Sequence, residues 1–431
     1  MLIALPKILS IGSSDMAVSR GVINHALVYD FKSLFLSIFS GKSLNRPSPS
    51  HYKSVQELVG HFFDVQNVEF FAYARSAFHA LLVSLELPPG SQILLTPFNI
   101  APMLDVVYSL GHTPIFVDLN VENFGPDYTH LELMLKQKPA CFLHTHLFGY
   151  VADMDLIVSL CAKYSVTLLE DISQSIGATC RGKSVGTFGL AAFYSCSLTK
   201  YVDSYSGAFA ITSDRLIASR LRSIRLNLFS PESSRIRAIV SKTLVWNIAL
   251  NSFVFSCFTY PLLVLLKRLN RSFFDSLLGP ATGTKLSHLN DVLPSYYFES
   301  ISTLQLDAMI YAFHRLSSLI ARRRRLAEAL ISRFPNIFVG TLNDFASNVY
   351  WQLLIPVSST HHAREMLFSH GLETGTTNLP DLSRLVPQSA ALVNAQALKS
   401  RFIFMPIHPR MSLASYSYFV KLLANSNLIQ R

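Results

Sequence analysis

Residues 68–215 alternate short apolar runs with stretches of helical periodicity, and few architectures accommodate such an alternation. Nearly continuous apolar strands separated by helices are typical of a parallel sheet that helices cover on both faces. We therefore predict an α/β fold with helices near 76–87, 100–110, 129–136 and 153–164. The predicted strands are 68–74, 91–98, 113–120, 140–147, 166–173, 191–197 and 207–214.

The pattern changes after Arg225. Apolar residues at helical spacing predict one long amphipathic helix from about Ile301 to Phe334. Beyond that helix, short apolar strands alternate with helical stretches until the end of the chain. This part of the sequence predicts a smaller α+β domain.

The composition excludes several classes of protein. Of the 431 residues, 50% are hydrophobic and 15% are charged, and 20 Pro and 18 Gly are too few for a disordered or collagen-like chain. The net charge of +10 comes without a compact stripe of basic and aromatic residues, so no nucleic-acid partner is predicted. The basic run Arg322–Arg325 falls inside the long helix, where it forms either a solvated face or a phosphate-binding patch.

The cysteines and the first residues of the sequence indicate the cellular compartment of the protein. The cysteines are odd in number and never spaced C-x-x-C, so we predict buried thiols of a reducing compartment at Cys141, Cys161, Cys180, Cys196 and Cys257. The start, MLIALPKILSIGSSD, has too short an apolar run for a secretory signal. We therefore expect a cytoplasmic protein.

Two polar residues follow apolar strands and are candidates for chemistry. Asp171 ends the strand LLED at the edge where ligands of open α/β sheets bind, although a loop carboxylate that caps the next segment is the alternative. Lys200 closes FYSCSLTK and is either a reactive amine or a solvent-exposed strand end. His144 and His146 share a strand face, as metal ligands would, but no third ligand accompanies them and no metal site is predicted.

Six segments in a fixed order carry more information than any single residue. They read YARSAFHALL, TPIFVD, HLFGYVADMD, LLEDISQSIGA, GTFGLAAFYSCSLTK and SGAFAITSD. In this order and spacing the chain resembles the DegT/DnrJ/StrS family of pyridoxal-phosphate-dependent sugar aminotransferases. The resemblance covers roughly residues 55–225, resumes around 300–335 and returns in GLETGT and MPIHPRMS.

The resemblance implies a cofactor, pyridoxal 5'-phosphate, and roles for four residues. Lys200 matches the lysine that binds the cofactor covalently and then moves a proton during catalysis. Asp171 matches the carboxylate that keeps the pyridine nitrogen protonated. Gln174 matches the residue that hydrogen-bonds the 3-oxygen of the ring, and Ser195 matches a phosphate-binding serine.

The turn before the helix SAFHALL is implied to hold the cofactor phosphate. Free backbone N–H groups and the helix dipole favour an anion at such a position, which Arg75, Ser76 and Ala77 occupy. The family's Gly-Thr pair is replaced here by Ala74-Arg75. Arg75 therefore either pairs with the phosphate or faces solvent.

Three other departures from the family concern the substrate more than the cofactor. The aromatic residue that stacks on the ring falls in PFNIAPML, where Phe98 and Ile100 are the candidates. The family's GEGG turn becomes residues 205–208. Its NYR segment, which reaches the neighbouring subunit's site, becomes residues 298–300.

The resemblance also implies an architecture and a reaction. The fold is PLP-dependent transferase fold type I, with a large domain at 1–292 on a mainly parallel seven-stranded sheet and a small α+β domain at 293–431. A homodimer with a shared active site moves an amino group from an amino acid, with L-glutamate as the expected donor, to a nucleotide-linked keto sugar in polysaccharide or natural-product biosynthesis. The alternatives are a pyridoxamine-phosphate-dependent sugar dehydratase, against which Lys200 argues, and a degenerate homologue that regulates or scaffolds.

An apolar segment stands apart from this pattern. Residues 243–266 carry no charge, lie between basic flanks and belong to an insertion at about 228–290. The segment is long enough to span a bilayer, but both flanks belong to one cytoplasmic fold, so a crossing is not expected. It either packs as a bent helical hairpin on the protein or its dimer partner, or lies peripherally on the inner membrane face with its basic flanks on anionic headgroups.

Overall fold

A seven-stranded sheet forms the centre of the molecule in the computed structural model, which describes residues 17–18, 24, 26–278, 292–340, 344–377, 379–387, 390–407 and 411–430. The order β1-β9-β8-β5-β4-β2-β3 confirms the predicted seven-stranded sheet. The strands are β1 (Asn67–Phe71), β2 (Gln92–Leu95), β3 (Thr113–Phe116), β4 (Cys141–Thr145), β5 (Thr167–Asp171), β6 (Thr179–Cys180), β7 (Lys183–Ser184), β8 (Ala191–Ser195), β9 (Ala208–Thr212), β10 (Ala346–Ser347), β11 (Gln352–Pro356) and β12 (Phe402–Pro406).

Each of the seven strands ends two to four residues before its predicted end. The cause is the burial of the loops that follow. Phe98, Leu119, Leu147, Ile172 and Cys196 lie just past their strands, and all are buried. The apolar pattern therefore continues beyond the hydrogen-bonded ladder and does not mark where a strand ends.

Helices cover both faces of the sheet and continue into the C-terminal part. Several begin at an Asp whose carboxylate accepts the amide three residues on, as Asp127, Asp153 and Asp214 do. The helices are α1 (Leu27–Phe39), α2 (Gly41–Leu44), α3 (Pro49–Phe63), α4 (Ala74–Ser84), α5 (Pro102–Ser109), α6 (Tyr128–Leu135), α7 (Met154–Lys163), α8 (Arg215–Leu226), α9 (Ser233–Ala249), α10 (Ser252–Val254), α11 (Tyr260–Leu269), α12 (Arg271–Leu278), α13 (Thr303–Arg333), α14 (Thr360–Ser369), α15 (Val393–Arg401) and α16 (Leu413–Asn425).

Alternate residues of the strands supply two apolar cores, one on each face of the sheet. Leu143 and Leu169 belong to one core, whereas their neighbours Phe142 and Leu168 belong to the other. A strand directs successive side chains to opposite faces, so a strand covered on both sides is apolar throughout. This explains the nearly continuous apolar runs of the sequence.

The strand directions place three loops at one edge of the sheet. β4, β5 and β8 are parallel, while β9 is antiparallel to both β8 and β1, so β1 runs in the same direction as β8. Ala208 of β9 pairs with Phe71 on one side and with Ser195 on the other. The chain therefore leaves β1, β5 and β8 at the same edge, which carries the predicted site residues.

The C-terminal part forms a second, smaller layer. Its two strands, β11 and β12, pair antiparallel, and α14 and α16 pack beside them. The predicted long helix is confirmed as α13, which begins at a capping box formed by Ser302 and Gln305. The domain boundary at 292/293 stays a prediction, and residues 408–410 of the MPIHPRMS motif lie outside the described residues.

The apolar insertion folds as helices α9 to α12, and residues 279–291 at its end lie outside the described residues. The predicted bend is confirmed at Leu250-Asn251, where the Asn251 side chain accepts the Phe253 amide. One turn of π-helix, Phe255–Thr259, precedes α11. Among the described residues, only the helical stretch Ser252–Leu269 is long and apolar enough to cross a membrane, and 17% of it is buried.

Candidate active site

Lys200 lies in a strained loop between β8 and β9. Its backbone N–H donates to Ser197 O at 3.1 Å, and its carbonyl accepts from Asn24 Nδ2 at 2.6 Å. Thr199 and Tyr205 have φ values of 73° and 70°, a left-handed conformation that is rare for residues other than glycine. Such conformations cost about 1–3 kcal/mol each and cluster at functional sites. The loop thus holds Lys200 in a defined position at an energetic cost.

The Lys200 side chain is partly buried beside an aromatic ring. Its Nζ lies 4.4 Å from the centroid of the Trp351 ring. Burial lowers the pKa of Lys200 to about 8, and the negative charge of Asp171 partly opposes this shift. An amine must be neutral to attack an aldehyde, and a pKa near 8 leaves roughly one-tenth of it neutral at pH 7, against less than one-thousandth for an ordinary lysine. Lys200 is therefore suited to be a nucleophile.

Asp171 is the last residue of β5 and is buried. Its Oδ2 accepts from Asn99 Nδ2 at 2.9 Å, and its Oδ1 accepts from the Ser173 amide at 3.0 Å. Asn99 Nδ2 also donates to Thr145 Oγ1 at 3.0 Å. These two donors orient the carboxylate, which has about four acceptor positions and so retains capacity for another donor.

Gln174 and Ser195 join the same edge through neighbouring loops. Gln174 is buried, and its Oε1 accepts the Phe148 amide at 2.6 Å, so its Nε2 is the group that can donate to a ligand oxygen. The Ser195 amide donates to Ser173 Oγ at 3.1 Å, and Ser195 Oγ donates to Ser197 Oγ at 3.1 Å. Ser173 therefore connects Asp171 to the start of the Lys200 loop.

The start of α4 has the properties of an anion site. Its N-cap residue, Tyr73, makes no side-chain capping hydrogen bond. The Ser76 and Ala77 amides both donate to Tyr73 O at 3.1 Å, so they are not free as predicted, and the site depends on the Ser76 hydroxyl and the helix dipole. Ser76 Oγ is buried and has no hydrogen-bond partner in the described part of the chain. A buried hydroxyl without a partner is costly, so a ligand at this helix start would satisfy it.

Arg75 is held among tyrosine rings and does not simply face solvent. Its guanidinium carbon lies 4.3 Å from the ring centroid of Tyr73, 4.8 Å from that of Tyr297 and 5.2 Å from that of Tyr296. Its Nε is buried and makes no hydrogen bond to any described residue. The solvent-exposed alternative is therefore wrong, and a role in phosphate binding stays a prediction.

The structure adds three residues that the sequence did not single out. Asn99 lies between the two stacking candidates and contacts Asp171, whereas Phe98 is buried in the core and Ile100 packs against that core. Trp351 reaches Lys200 because Gly149, with φ of 87°, has no Cβ to overlap the Trp351 amide. Asn24 reaches the Lys200 carbonyl from 176 residues away, so no local motif signals it.

The arginine run of α13 is neither fully solvated nor a single patch. Arg322 and Arg325 are exposed, but Arg323 is buried with its guanidinium carbon 4.6 Å from the ring centroid of Tyr201. Arg324 Nε donates to Asn348 O at 2.9 Å. Both alternatives from the sequence were therefore incomplete, because Arg323 packs inside the protein beside the Lys200 loop and Arg324 is half-buried against Asn348.

Glu170 belongs to a separate network on the opposite face of β5. Its carboxylate contacts His146 Nε2 at 2.9 Å and accepts the amides of Gly186, Phe188 and Gly189 at 2.7–2.8 Å. Burial alone would raise the pKa of Glu170, but His146 and these amides lower it below its usual value. Burial and His146 lower the pKa of His144 well below its usual value. No cluster of three or more metal-ligating side chains occurs among the described residues.

Glu170→Ala is expected to destabilise the fold by about 3–5 kcal/mol, because it leaves the buried His146 and three backbone amides without their acceptor. The free energy of unfolding in urea measures this loss. The matched control is the exposed Glu122→Ala, which is expected to change it by less than about 0.5 kcal/mol. A loss below 1 kcal/mol for Glu170→Ala would show that this network contributes little.

The fold and this arrangement of lysine, aspartate and helix start define a class, the fold-type-I pyridoxal-phosphate enzymes. Residues 49–254 match the DegT/DnrJ/EryC1/StrS aminotransferase family. The match covers just under half of the chain, and over this part the chain is similar to that family of pyridoxal-phosphate-dependent aminotransferases. The resemblance stated from the sequence is thus confirmed.

Individual relatives show what similar chains do. The chain is 28% identical over 150 residues to GDP-perosamine synthase from Caulobacter vibrioides. This matched stretch covers 35% of this chain and 40% of that protein. It is 29% identical over 192 residues to a pleiotropic regulatory protein from Geobacillus stearothermophilus. This matched stretch covers 42% of this chain and 52% of that protein. The matches thus span about half or less of these curated relatives.

A solved structure confirms the fold over nearly the whole chain. A GDP-4-keto-6-deoxymannose-3-dehydratase with bound GDP-perosamine superposes with a TM-score of 0.70 at 16% identity, over 94% of this chain and all of that one. At this identity the likeness shows the fold alone. It confirms the predicted PLP-dependent transferase fold type I.

The residues present fit pyridoxal phosphate. The buried Ser76 Oγ lacks a partner at an uncapped helix start, which suits a phosphate. Asp171 retains acceptor capacity for a protonated ring nitrogen, and Lys200 is a partly neutral amine near it. An anion site, a carboxylate and an amine on one sheet edge are the groups that this cofactor requires.

Proposed function

We propose that the chain is a pyridoxal-phosphate-dependent aminotransferase that moves an amino group from an amino acid, with L-glutamate as the donor, to a nucleotide-linked keto sugar. The observation that carries the proposal is the pairing of a low-pKa Lys200 with the oriented carboxylate of Asp171. The family match, and relatives named as aminotransferases of UDP-linked sugars, support the substrate class.

Each site residue has a task in this reaction. The bound cofactor supplies an electron-withdrawing ring that stabilises negative charge on the substrate carbon. Ser76, Arg75 and Ser195 would bind the phosphate, which the dipole of α4 would also attract at its first turn near Ala77. Gln174 donates to the ring oxygen.

Asp171 and Lys200 have separate tasks at the ring nitrogen and at the covalent bond to the cofactor. Asp171 holds the proton on the ring nitrogen, and Asn99 keeps the Asp171 carboxylate in place through its 2.9 Å hydrogen bond. Lys200 is the residue that would hold the cofactor covalently, and its amine would also be the base that moves a proton at the substrate carbon.

The donor half-reaction tests this proposal without knowledge of the sugar. Purified protein is loaded with pyridoxal phosphate and mixed with L-glutamate alone. We expect the absorbance band of the cofactor to shift and about one 2-oxoglutarate to form per bound cofactor. A protein that binds the cofactor without reacting with any amino acid would instead be a regulator or scaffold. A second mixture that also contains a nucleotide-linked keto sugar tests the dehydratase alternative, which predicts loss of a sugar oxygen without net amino transfer and against which Lys200 argues.

Arg75→Ala is expected to weaken pyridoxal phosphate binding roughly tenfold to a hundredfold, because a charge-assisted pair with phosphate contributes about 1.5–3 kcal/mol. Titration of the cofactor-free protein measures the affinity. Arg220→Ala is the matched control, since Arg220 contacts Ser84 O at the opposite end of α4 and is expected to leave the affinity unchanged. Unchanged affinity in Arg75→Ala with altered substrate affinity would assign Arg75 to the sugar.

A homodimer with a shared active site stays a prediction. Glu299, in the segment that reaches the neighbouring subunit in the family, is engaged within this chain. It accepts the Glu232 amide at 3.3 Å and lies 3.4 Å from Arg235 Nε, both at the start of the insertion. A cytoplasmic location is supported by five free cysteines, four of them buried. Contact of residues 243–266 with a membrane is a further prediction.

A further inference from the structure

Helix α1 buries its polar side and exposes its apolar side. Its buried residues are Asp30, Ser33 and Ser37. Its large exposed residues recur at helical spacing on one face, and they are Val28, Phe31, Phe35, Ile38 and Phe39, between 54% and 79% exposed. A helix on a protein that meets only water shows the reverse arrangement. The outer face of α1 therefore suits an apolar environment.

A buried polar network fixes this orientation. Asp30 Oδ2 accepts from Asn247 Nδ2 of α9 at 2.7 Å, and Asp30 Oδ1 accepts from Tyr205 OH at 2.9 Å. Rotating α1 to hide its phenylalanines would bring a fully buried carboxylate out of these hydrogen bonds. The apolar face is consequently held outward by the fold.

Helix α9 extends the apolar face of α1. The two helices pack together, with Asp30 near the start of α1 against Asn247 near the end of α9. Val245, Trp246 and Ile248 are exposed within two residues of that contact. Both helices therefore carry exposed apolar residues close to their contact.

Helix α11 and the turn before it add a row of exposed residues along one helix face, namely Phe258, Leu262, Leu265 and Leu269. The opposite face is attached to the protein body. Ser256 Oγ donates to Ala17 O, Tyr260 OH donates to Phe368 O at 2.5 Å, and Lys267 Nζ contacts Glu365 at 2.6 Å. Three successive attachments hold this helix along the body, so it does not project outward to cross a bilayer.

The exposed charged residues within α1 and within residues 233–274 are all basic. The sequence has no Asp or Glu between Ser233 and Phe274, and the one acidic residue of α1, Asp30, is buried. Exposed basic residues lie among the apolar ones, and they are Lys32, Lys42, Arg237, Lys242, Arg268 and Arg271. More than half of the exposed large hydrophobic residues in the described part of the chain lie on α1 and on the helices from α9 to α12.

We propose that α1, α9 and α11 form a docking surface by which the enzyme lies on an anionic lipid membrane. The apolar side chains enter the headgroup region, and the lysines and arginines contact lipid phosphates. The surface combines a helix near the beginning of the described chain with an insertion two hundred residues later. Contact by residues 243–266 alone is therefore too narrow a description.

A second copy of the chain is a less suitable binding partner for this docking surface than a membrane. A twofold interface places the same patch on both subunits, so the basic residues of one copy would meet those of the other. An anionic membrane complements both the apolar and the basic residues. The positive charge of the surface therefore favours an anionic membrane over a second copy of the chain.

Vesicle flotation of the full-length, cofactor-loaded protein tests the proposal. Vesicles of phosphatidylcholine with one-quarter phosphatidylglycerol are compared with vesicles of phosphatidylcholine alone. We expect binding to the anionic vesicles that weakens in high salt. The double variant Phe31→Ser/Phe35→Ser should lower binding at least tenfold. Lys242→Gln/Arg268→Gln should lower it about 25-fold, since each basic residue contributes roughly fivefold.

A matched control uses exposed apolar residues elsewhere. Leu133→Ser/Val393→Ser changes two side chains that are 56% and 73% exposed on α6 and α15, and it should bind vesicles as the parent does. Circular dichroism and the thermal midpoint verify that each variant folds. Absence of vesicle binding by the parent, or full binding by the folded Phe31→Ser/Phe35→Ser variant, overturns the proposal. A change of oligomeric mass in that variant without any vesicle binding by the parent would assign the surface to a second copy and also overturns it.

Discussion

Alanine at Lys200 is expected to abolish transamination, with a loss of about 10⁶-fold, the size seen when an enzyme loses its covalent nucleophile. Lys200 is the amine whose pKa is lowered to about 8 next to Asp171. The variant lacks both the group that binds the cofactor and the group that moves the proton. Its fold should persist, because the partly exposed side chain ends a loop and lies outside the two apolar cores.

Mass spectrometry after borohydride reduction separates the covalent role from a general loss of activity. The parent protein should gain the mass of one cofactor per chain, and Lys200→Ala should gain none. Lys183→Ala, which removes an exposed lysine of β7, is the matched control and should behave as the parent. A Lys200→Ala protein that still transaminates at nearly the parent rate would show that another amine binds the cofactor.

Asparagine at Asp171 is expected to lower the rate of the donor half-reaction by about 10³-fold or more while pyridoxal phosphate still binds. The neutral amide cannot keep the ring nitrogen protonated, so the ring loses its power to stabilise charge in the transition state. Stopped-flow absorbance with L-glutamate measures this rate per bound cofactor. Asn99 and the Ser173 amide hold residue 171 in place, so the position of the side chain should change little.

The neighbouring carboxylate supplies the control for Asp171→Asn. Glu170→Gln alters the adjacent residue, whose side chain lies on the opposite face of β5. It should reduce stability and leave the rate per bound cofactor almost unchanged. A loss below tenfold in Asp171→Asn would remove Asp171 from its proposed role.

The sheet could be predicted from the sequence because the apolar pattern of each strand lies within a few consecutive residues. Leu168 and Leu169 are both apolar since helices cover both sides of β5, and this doubly buried strand produces the run VTLLED. The positions of Asp171 and Lys200 follow from the same rule, since Asp171 ends one strand of the sheet and Lys200 lies in the loop that follows another. Local patterns thus located the edge of the sheet and the residues on it.

Contacts between distant segments were not predictable. Trp351 meets Lys200, and Asn24 meets the Lys200 carbonyl, only after the C-terminal part and the N-terminal segment pack against the sheet. Arg75 was ambiguous because its tyrosine partners Tyr296 and Tyr297 lie more than two hundred residues away. The orientation of α1 could not be predicted for the same reason, because Asp30 is buried against Asn247 of the distant helix α9.

The position of β9 also has a consequence for the order of folding during synthesis. Among the described residues, β1 is an edge strand whose only sheet neighbour is β9, yet about 140 residues separate Phe71 from Thr212. Ribosomes add about 5–20 residues per second, so β1 waits on the order of 10 s for its partner. During that interval an apolar strand of sequence NVEFF has an open edge. The nascent chain is therefore most prone to aggregation before residue 212 has been made, and slower translation of residues 72–207 should lower the yield of folded protein.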